Sequence, residues 1–250
     1  MVLFSQTLEV YIKGGISGMF GIILSHPIDT VKTHIQSGIP LSKLHINPSS
    51  LYKGITAPLI GVGIEKAIVF GTYNYARKNL KLDVTSAGAI SGLAASIIVT
   101  PYERIKILQQ GGNKINFTSA INPRFLFKGL SATFTREVPG FALYFTVFDA
   151  CKFHFHTKYG TKIGYGNAFV YGGLAGITAW IFIYPQDRIK TLIQMDMESG
   201  PDAKKSFIQI AKRIYNQGGI LSLYKGFNFA ALRAVTLHSG TFCMMEVLTN

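Results

Sequence analysis

An eleven-residue pattern occurs three times along the chain, and nothing else in the sequence constrains the fold as tightly. HPIDTVKTHIQ at 26–36, TPYERIKILQQ at 100–110 and YPQDRIKTLIQ at 184–194 each hold a proline, an acid two residues on, a base five on and a glutamine nine on. The matched sets are Pro27, Asp29, Lys32 and Gln36; Pro101, Glu103, Lys106 and Gln110; and Pro185, Asp187, Lys190 and Gln194. Their prolines stand 74 and 84 residues apart. A second element follows each copy: Tyr52-Lys53-Gly54, Phe127-Lys128-Gly129 and Tyr224-Lys225-Gly226. A long spaced pattern met three times in register predicts three copies of one supersecondary unit. The expected repeats are 1–80, 81–158 and 159–250.

Around these marks lie six mostly apolar segments, each about one membrane span by the ~20-residue criterion. The odd ones contain the proline pattern, at 8–36, 84–110 and 167–194; the even ones follow the aromatic-Lys-Gly element, at 55–78, 130–152 and 227–249. Small residues recur at helical spacing in the odd segments (Gly14, Gly18 and Gly21; Gly88 and Gly92; Gly172 and Gly176), where they let helix backbones approach in lipid. The chain is therefore expected to be an all-α membrane protein with six transmembrane helices. Composition agrees: 48% of residues are hydrophobic and only 15% charged, yet the net charge is +13. The charges gather between the apolar stretches, which suits loops facing anionic headgroups better than a nucleic-acid surface. Cys151 and Cys243 lie in apolar segments without metal-ligand spacing, and read as small buried hydrophobes. The opening MVLFSQTLEVYIKGG carries neither an Arg/Ser-rich presequence nor a cleavable signal, so targeting information is expected within the chain.

Proline within a helix removes a hydrogen bond and bends the helix, and the acid and base three apart share one face. A single copy could be a local pair. In a ring of three such helices each acid can reach the neighbouring helix's base, closing a ring of Asp29, Lys32, Glu103, Lys106, Asp187 and Lys190. Gln36, Gln110 and Gln194, one turn on, can brace those pairs.

Three copies of Pro-x-acid-x-x-base followed by aromatic-base-Gly resemble the mitochondrial carrier family, over about residues 8–249. The resemblance implies a pseudo-threefold six-helix barrel in the inner mitochondrial membrane, around a central substrate cavity opened alternately to each side. Both termini would face the intermembrane space, and the ring above would be the matrix gate. The family's cytoplasmic gate, aromatic-acid-x-x-base, is matched fully by Phe148-Asp149-x-x-Lys152, while Tyr73-Asn74-x-x-Arg77 lacks the acid and Met245-Glu246-x-x-Thr249 lacks the aromatic and the base. The expected pairs are Arg77–Asp149, Lys152–Glu246 and Thr249–Asn74, the last a neutral contact, so the cytoplasmic gate should be weaker than the matrix gate. The resemblance also makes Lys53-Gly54, Lys128-Gly129 and Lys225-Gly226 cardiolipin sites, at helix N-termini with free N–H groups; turn chemistry with a snorkelling lysine is the plainer reading. The first two matrix loops are short and their matrix helices reduced, whereas 202–216 can form a full amphipathic helix.

A second class of polar residue lies midway along the even helices: Glu65 and Lys66, Arg136 and Glu137, and Arg233. Counted from the glycine of each aromatic-Lys-Gly element, Arg136 and Arg233 both fall at +7, where the first repeat has Gly61. Ionisable groups at this depth point to function, although internal pairing, Lys66 with Glu137 or Arg136 with Glu137, is an open alternative. The gates repeat and these positions do not, as an asymmetric substrate requires. In the family such residues contact substrate, and TREVPGFALYF is similar to stretches of its ornithine and carnitine/acylcarnitine type members. The expected function is transport of a cationic or zwitterionic amino-acid-like metabolite, such as a basic amino acid, carnitine or S-adenosylmethionine. Arg136 would hold a carboxylate, Glu137 and Glu65 positive groups, and Arg233, which could take a carboxylate or a phosphate, would complete the site. The alternative is a nucleotide or other phosphate-bearing substrate, favoured by Arg136, Arg233 and Lys66. An enzyme is not expected, for the sequence has no nucleophile–base set, phosphate loop or metal spacing. The expected partners are a small-molecule substrate and structural cardiolipin, with no other cofactor, no metal, no nucleic acid, and a monomeric protein.

Overall fold

The computed structural model describes residues 2–36, 51–52, 55–110, 122–160, 163–195 and 206–249; within them, the side chains of 2–7, 31–36, 57, 106–110, 192, 194 and 195 lie outside the description. Lys32, Gln36, Lys53, Gly54, Lys106, Gln110 and Gln194, all assigned roles from the sequence, therefore fall outside the described residues or side chains. Eight helices are described: α1 Val2–Gln36, α2 Thr56–Lys78, α3 Val84–Gln110, α4 Pro123–Leu126, α5 Leu130–Tyr159, α6 Tyr165–Met195, α7 Phe207–Leu223 and α8 Phe227–Thr249.

The six long helices close a ring. Each packs on two neighbours, in the order α1, α2, α3, α5, α6, α8 and back to α1. Stretches of α1, α3 and α6 (Leu8–Thr30, Val84–Ile105 and Tyr165–Thr191) are long and apolar enough to cross a membrane. Their outward faces expose Ile12, Ile16 and Ile23, Leu93, Ile97 and Ile98, and Leu174, Ile181 and Phe182. Apolar exposure on that scale suits lipid, not water.

Glycine sets the register within each pair of helices. An ideal Cβ built on Gly14, Gly88 or Gly172, each thirteen residues before its proline, would lie 2.7–2.8 Å from a backbone carbonyl oxygen of the partner helix: Lys66, Phe141 and His238 respectively. Those three residues in turn stand at +12 from the glycines of the aromatic-Lys-Gly elements. No side chain larger than hydrogen fits at any of the three points.

The proline hinges are held by those same elements. Pro27 and Pro185 leave the carbonyls four residues earlier, Ile23 and Ile181, without their helical donor. The Tyr52 hydroxyl donates to Ile23 O at 3.1 Å and the Tyr224 hydroxyl to Ile181 O at 2.8 Å. His26 and Tyr184, each just before its proline, stack on the same tyrosines at 6.0 and 6.1 Å. The second repeat has Thr100 and Phe127 at these places, so Phe127 brings no hydroxyl to the Ile97 carbonyl. Gly129 and Gly226 then start α5 and α8 with φ of 88° and 86°, a left-handed turn that favours glycine.

The segment before α5 forms one turn, α4, capped by the Asn122 side chain, which accepts from Arg124 N–H at 3.0 Å. The corresponding segment of the third repeat is α7. It begins at Phe207, where Ser206 and Gln209 form a reciprocal capping box; residues 202–205 of the expected helix lie outside the described residues. Its continuation to Leu223 is broken at Gly218 and Gly219, the latter at φ 65°. Ile210 and Ile214 bury against Ile189 of α6. At the opposite end Asp83 caps α3; bonding from Ser86, by its side chain and its N–H, holds the Asp83 carboxyl below the usual carboxylate range.

Candidate functional site: three layers along the axis of the ring

At the proline level the motif acids turn into the ring. Glu103 of α3 pairs with Lys190 of α6, and the lysine is 2% exposed. This is an ion pair between neighbouring odd helices of the kind that a ring of acids and bases requires. The other motif bases, Lys32 and Lys106, have no described side chains. Arg136 of α5 reaches this level as well. It pairs with its neighbour Glu137, lies 3.1 Å from Glu103 and approaches Asp187 of α6 at 3.3 Å. Arg233 of α8 meets Asp29 of α1 at 2.9 Å. Both arginines that the sequence set aside for substrate are thus held by acids of the proline motif. Charges within a bundle of apolar helices persist when paired. The +7 position of α2 is Gly61, and an ideal Cβ there would lie 2.6 Å from the Tyr102 hydroxyl. A tyrosine of α3 fills the place where the third arginine would stand.

One to two turns further along the even helices, Lys66 pairs with Glu65 at 3.1 Å, and so not with Glu137. Its ammonium lies 4.6 Å from the centre of the Phe141 ring and 5.5 Å from that of Tyr144. Tyr144 packs on His238 at 4.7 Å. Both are buried, and neither the Tyr144 hydroxyl nor His238 Nδ1 has a hydrogen-bond partner among the described residues.

Beyond this level the axis is filled by aromatic rings. Phe70, Phe145 and Phe242 all stand at +16, one from each even helix. Each meets the other two edge-on, at 5.5, 5.9 and 6.4 Å. The next layer is Tyr73, Phe148 and Met245 at +19. Tyr73 stacks on Phe145 at 3.8 Å, Phe148 stacks on Phe242 at 3.5 Å, and Met245 packs against the same cluster. The +19 residues belong to the aromatic-acid-x-x-base pattern, whereas the +16 triad belongs to no motif named from the sequence. The signal was available: the three phenylalanines share one offset from three glycines.

The polar ends of these motifs behave unequally. Lys152 pairs with Glu246 at 3.0 Å. The expected Arg77–Asp149 pair is not formed. Arg77 donates instead to the Leu82 carbonyl at 2.7 Å, because the short turn after α2 folds that carbonyl over the end of its own helix. Thr249 bonds to the Met245 carbonyl of its own helix at 2.8 Å rather than to Asn74. A single inter-helix ion pair is therefore described among the six residues of this ring.

No group of three or more His, Cys, Asp or Glu suited to a metal occurs among the described residues. The described side chains thus form three layers along the axis: a charged layer at one level, packed aromatic rings at another, and isolated polar groups between.

Comparison with known proteins points the same way. The family model described as "Mitochondrial carrier protein" matches residues 82–159 and 161–250. Relatives include the mitochondrial carnitine carrier of Saccharomyces cerevisiae, 26% identical over 97% of this chain and 87% of that protein. A mitochondrial arginine transporter of Arabidopsis thaliana is 31% identical over 95% of this chain and 89% of that protein. The mitochondrial carnitine/acylcarnitine carrier protein of Mus musculus is 28% identical over 94% and 91%. With the matched stretches spanning more than half of its length, the chain belongs to the mitochondrial carrier family and is a solute transporter of a mitochondrial membrane.

Proposed function

We propose that the transported solute is a cationic or zwitterionic amino-acid-like metabolite, moved across the inner mitochondrial membrane by alternating access. One observation carries the reading: Arg136 is held by the acids of the gate. Arg136 and Lys190 face Glu103, Glu137 and Asp187, three carboxylates to two cations among the described side chains. A solute carboxylate that takes Arg136 bidentately competes with Glu103 and Asp187, and the cationic part of the same solute compensates the acids set free. Loading the site then weakens the contacts that tie α3, α5 and α6 together. The binding energy is spent where it favours rearrangement, as a ligand-driven change of state requires. Arg233, tied to Asp29, would couple α8 to α1 in the same way. The relatives named for carnitine and arginine support the substrate class. A phosphate-bearing substrate fits less well, because it would displace the carboxylates from Arg136 and Arg233 yet bring no cation to compensate them or Glu65 and Glu137.

Lys128-Gly129 and Lys225-Gly226 are proposed as cardiolipin sites, since the helices that follow them offer free N–H groups at their starts.

The test is uptake into liposomes by the purified protein. Carnitine, arginine and S-adenosylmethionine are compared with nucleotides, in wild type and in Glu137→Gln. Uptake of a cation that Glu137→Gln abolishes supports the reading. Uptake of nucleotides alone, indifferent to Glu137→Gln, would overturn it.

A further inference from the structure

Lys66 is the one mid-depth cation that the gate network does not absorb. Its side chain is 3% exposed, and its ammonium sits between one carboxylate, Glu65 at 3.1 Å, and two ring faces, Phe141 at 4.6 Å and Tyr144 at 5.5 Å. A Cβ on Gly18 would meet Lys66 Cγ at 2.6 Å, so α1 is hollowed where the lysine stem passes. An ammonium has three donors, and here one carboxylate takes a hydrogen bond while the rest of the charge faces aromatic rings. One acid and two ring faces form a surround better matched to a cation with few or no N–H donors, such as a quaternary ammonium, or to a flat guanidinium, than to a lysine.

We infer that Glu65, Phe141 and Tyr144 form a cation cage that receives the positive end of the transported solute, and that Lys66 is a tethered stand-in occupying it until the solute arrives. The inference rests on the substrate class proposed above and deepens it. Phe141 lies five residues beyond Arg136 on α5, about 7.5 Å along the helix axis. A solute with a carboxylate at one end and a compact cation at the other spans the two points. The buried Tyr144 hydroxyl and His238 Nδ1, both unpartnered among the described residues, lie beside the cage and can bond a polar group carried between those ends. The resident lysine keeps the empty cage neutral, and must swing out along the axis when a solute cation enters. It therefore weakens binding and makes entry an exchange of one cation for another.

The experiment is calorimetric titration of the detergent-purified full chain with L-carnitine, L-arginine and ATP. Lys66→Met keeps the length of the stem and vacates the cage. It is expected to bind carnitine or arginine at least tenfold more tightly than wild type, and the gain is expected to vanish in Glu65→Gln/Lys66→Met. If Lys66→Met does not purify folded, Lys66→Gln carries the same expectation. Wild type and Lys66→Met binding a cation equally, or Lys66→Met binding it more weakly, overturns the cage while the substrate class stands. A Lys66→Met protein that binds ATP alone, or none of the three at millimolar concentration, overturns the class and the cage together.

Discussion

Arg136 concentrates the electrostatics of the ring in one side chain. It is 11% exposed and faces Glu103, Glu137 and Asp187. Removing it leaves carboxylates buried against each other, and the loss of one partner of a buried pair costs about 3–5 kcal/mol. Arg136→Ala is therefore expected to lower the melting temperature of the purified protein sharply and to abolish uptake. Arg136→Lys should restore part of the stability but not the uptake, since an ammonium cannot hold a carboxylate in two-point fashion. A melting temperature unchanged in Arg136→Ala would show that the cluster does not exist as described. The charged residues of this site were legible in the sequence because a charge inside an apolar helix is conspicuous by type alone. Their partners were less so. Glu65 beside Lys66 and Glu137 beside Arg136 are chain neighbours, yet only packing decides that the former pair sits in an aromatic surround and the latter reaches two further acids. Phe70, Phe145 and Phe242 carry no such mark among 18 phenylalanines. They emerge only when counted from the three aromatic-Lys-Gly glycines.

Among the elements, the proline hinges and the glycine contacts carry the most direct predictions. Tyr224→Phe removes the donor to Ile181 O, and a hydrogen bond of this kind is worth about 1 kcal/mol. A small fall in melting temperature is expected. Phe127→Tyr should act in the opposite sense, by bringing a hydroxyl to the second hinge, where the Ile97 carbonyl has lost its helical donor to Pro101. If both changes lower stability alike, the hydroxyls do not brace the hinges. Gly172→Ala drives a methyl against the His238 carbonyl oxygen, at 2.7 Å if nothing moves. Backbone must shift, with a cost of about 1–3 kcal/mol. Gly166, on the same helix with nothing within 4 Å, is the control, and its alanine variant should melt like wild type. Helix existence and order were readable from the sequence because the proline pattern and the glycine spacing repeat in register. The ends were set by local chemistry that the repeat does not contain: the capping box at Ser206 and Gln209 caps α7 at Phe207, and the glycine pair Gly218-Gly219 breaks its last turn.

At the scale of the whole molecule, the two ends of the ring are closed by different physics. One end is held by ion pairs between helices, Glu103–Lys190, Arg136–Asp187 and Arg233–Asp29, their side chains at most a quarter exposed. The other is held mostly by aromatic area, with Lys152–Glu246 as its one described ion pair and Lys152 39% exposed. A pair with one partner so exposed is screened and contributes about 0–1 kcal/mol, whereas a buried phenylalanine cut to alanine loses about 3–5 kcal/mol. Ring packing should therefore outweigh charge at this end. Phe145 meets both other members of the triad and stacks on Tyr73, so Phe145→Ala breaks both layers at once. It should raise the reactivity of a cysteine placed at Tyr144 toward a membrane-impermeant thiol reagent, in a background where Cys151 and Cys243 are replaced by alanine. Reversing charge at Lys152 and Glu246 singly should change that reactivity little, and the double reversal should restore what little is lost. Reversals at Arg77 and Asp149, which do not touch, should show no coupling. Strong coupling between Arg77 and Asp149, or a seal that survives Phe145→Ala but opens on Lys152→Glu, would mean that charge and not aromatic packing closes this end.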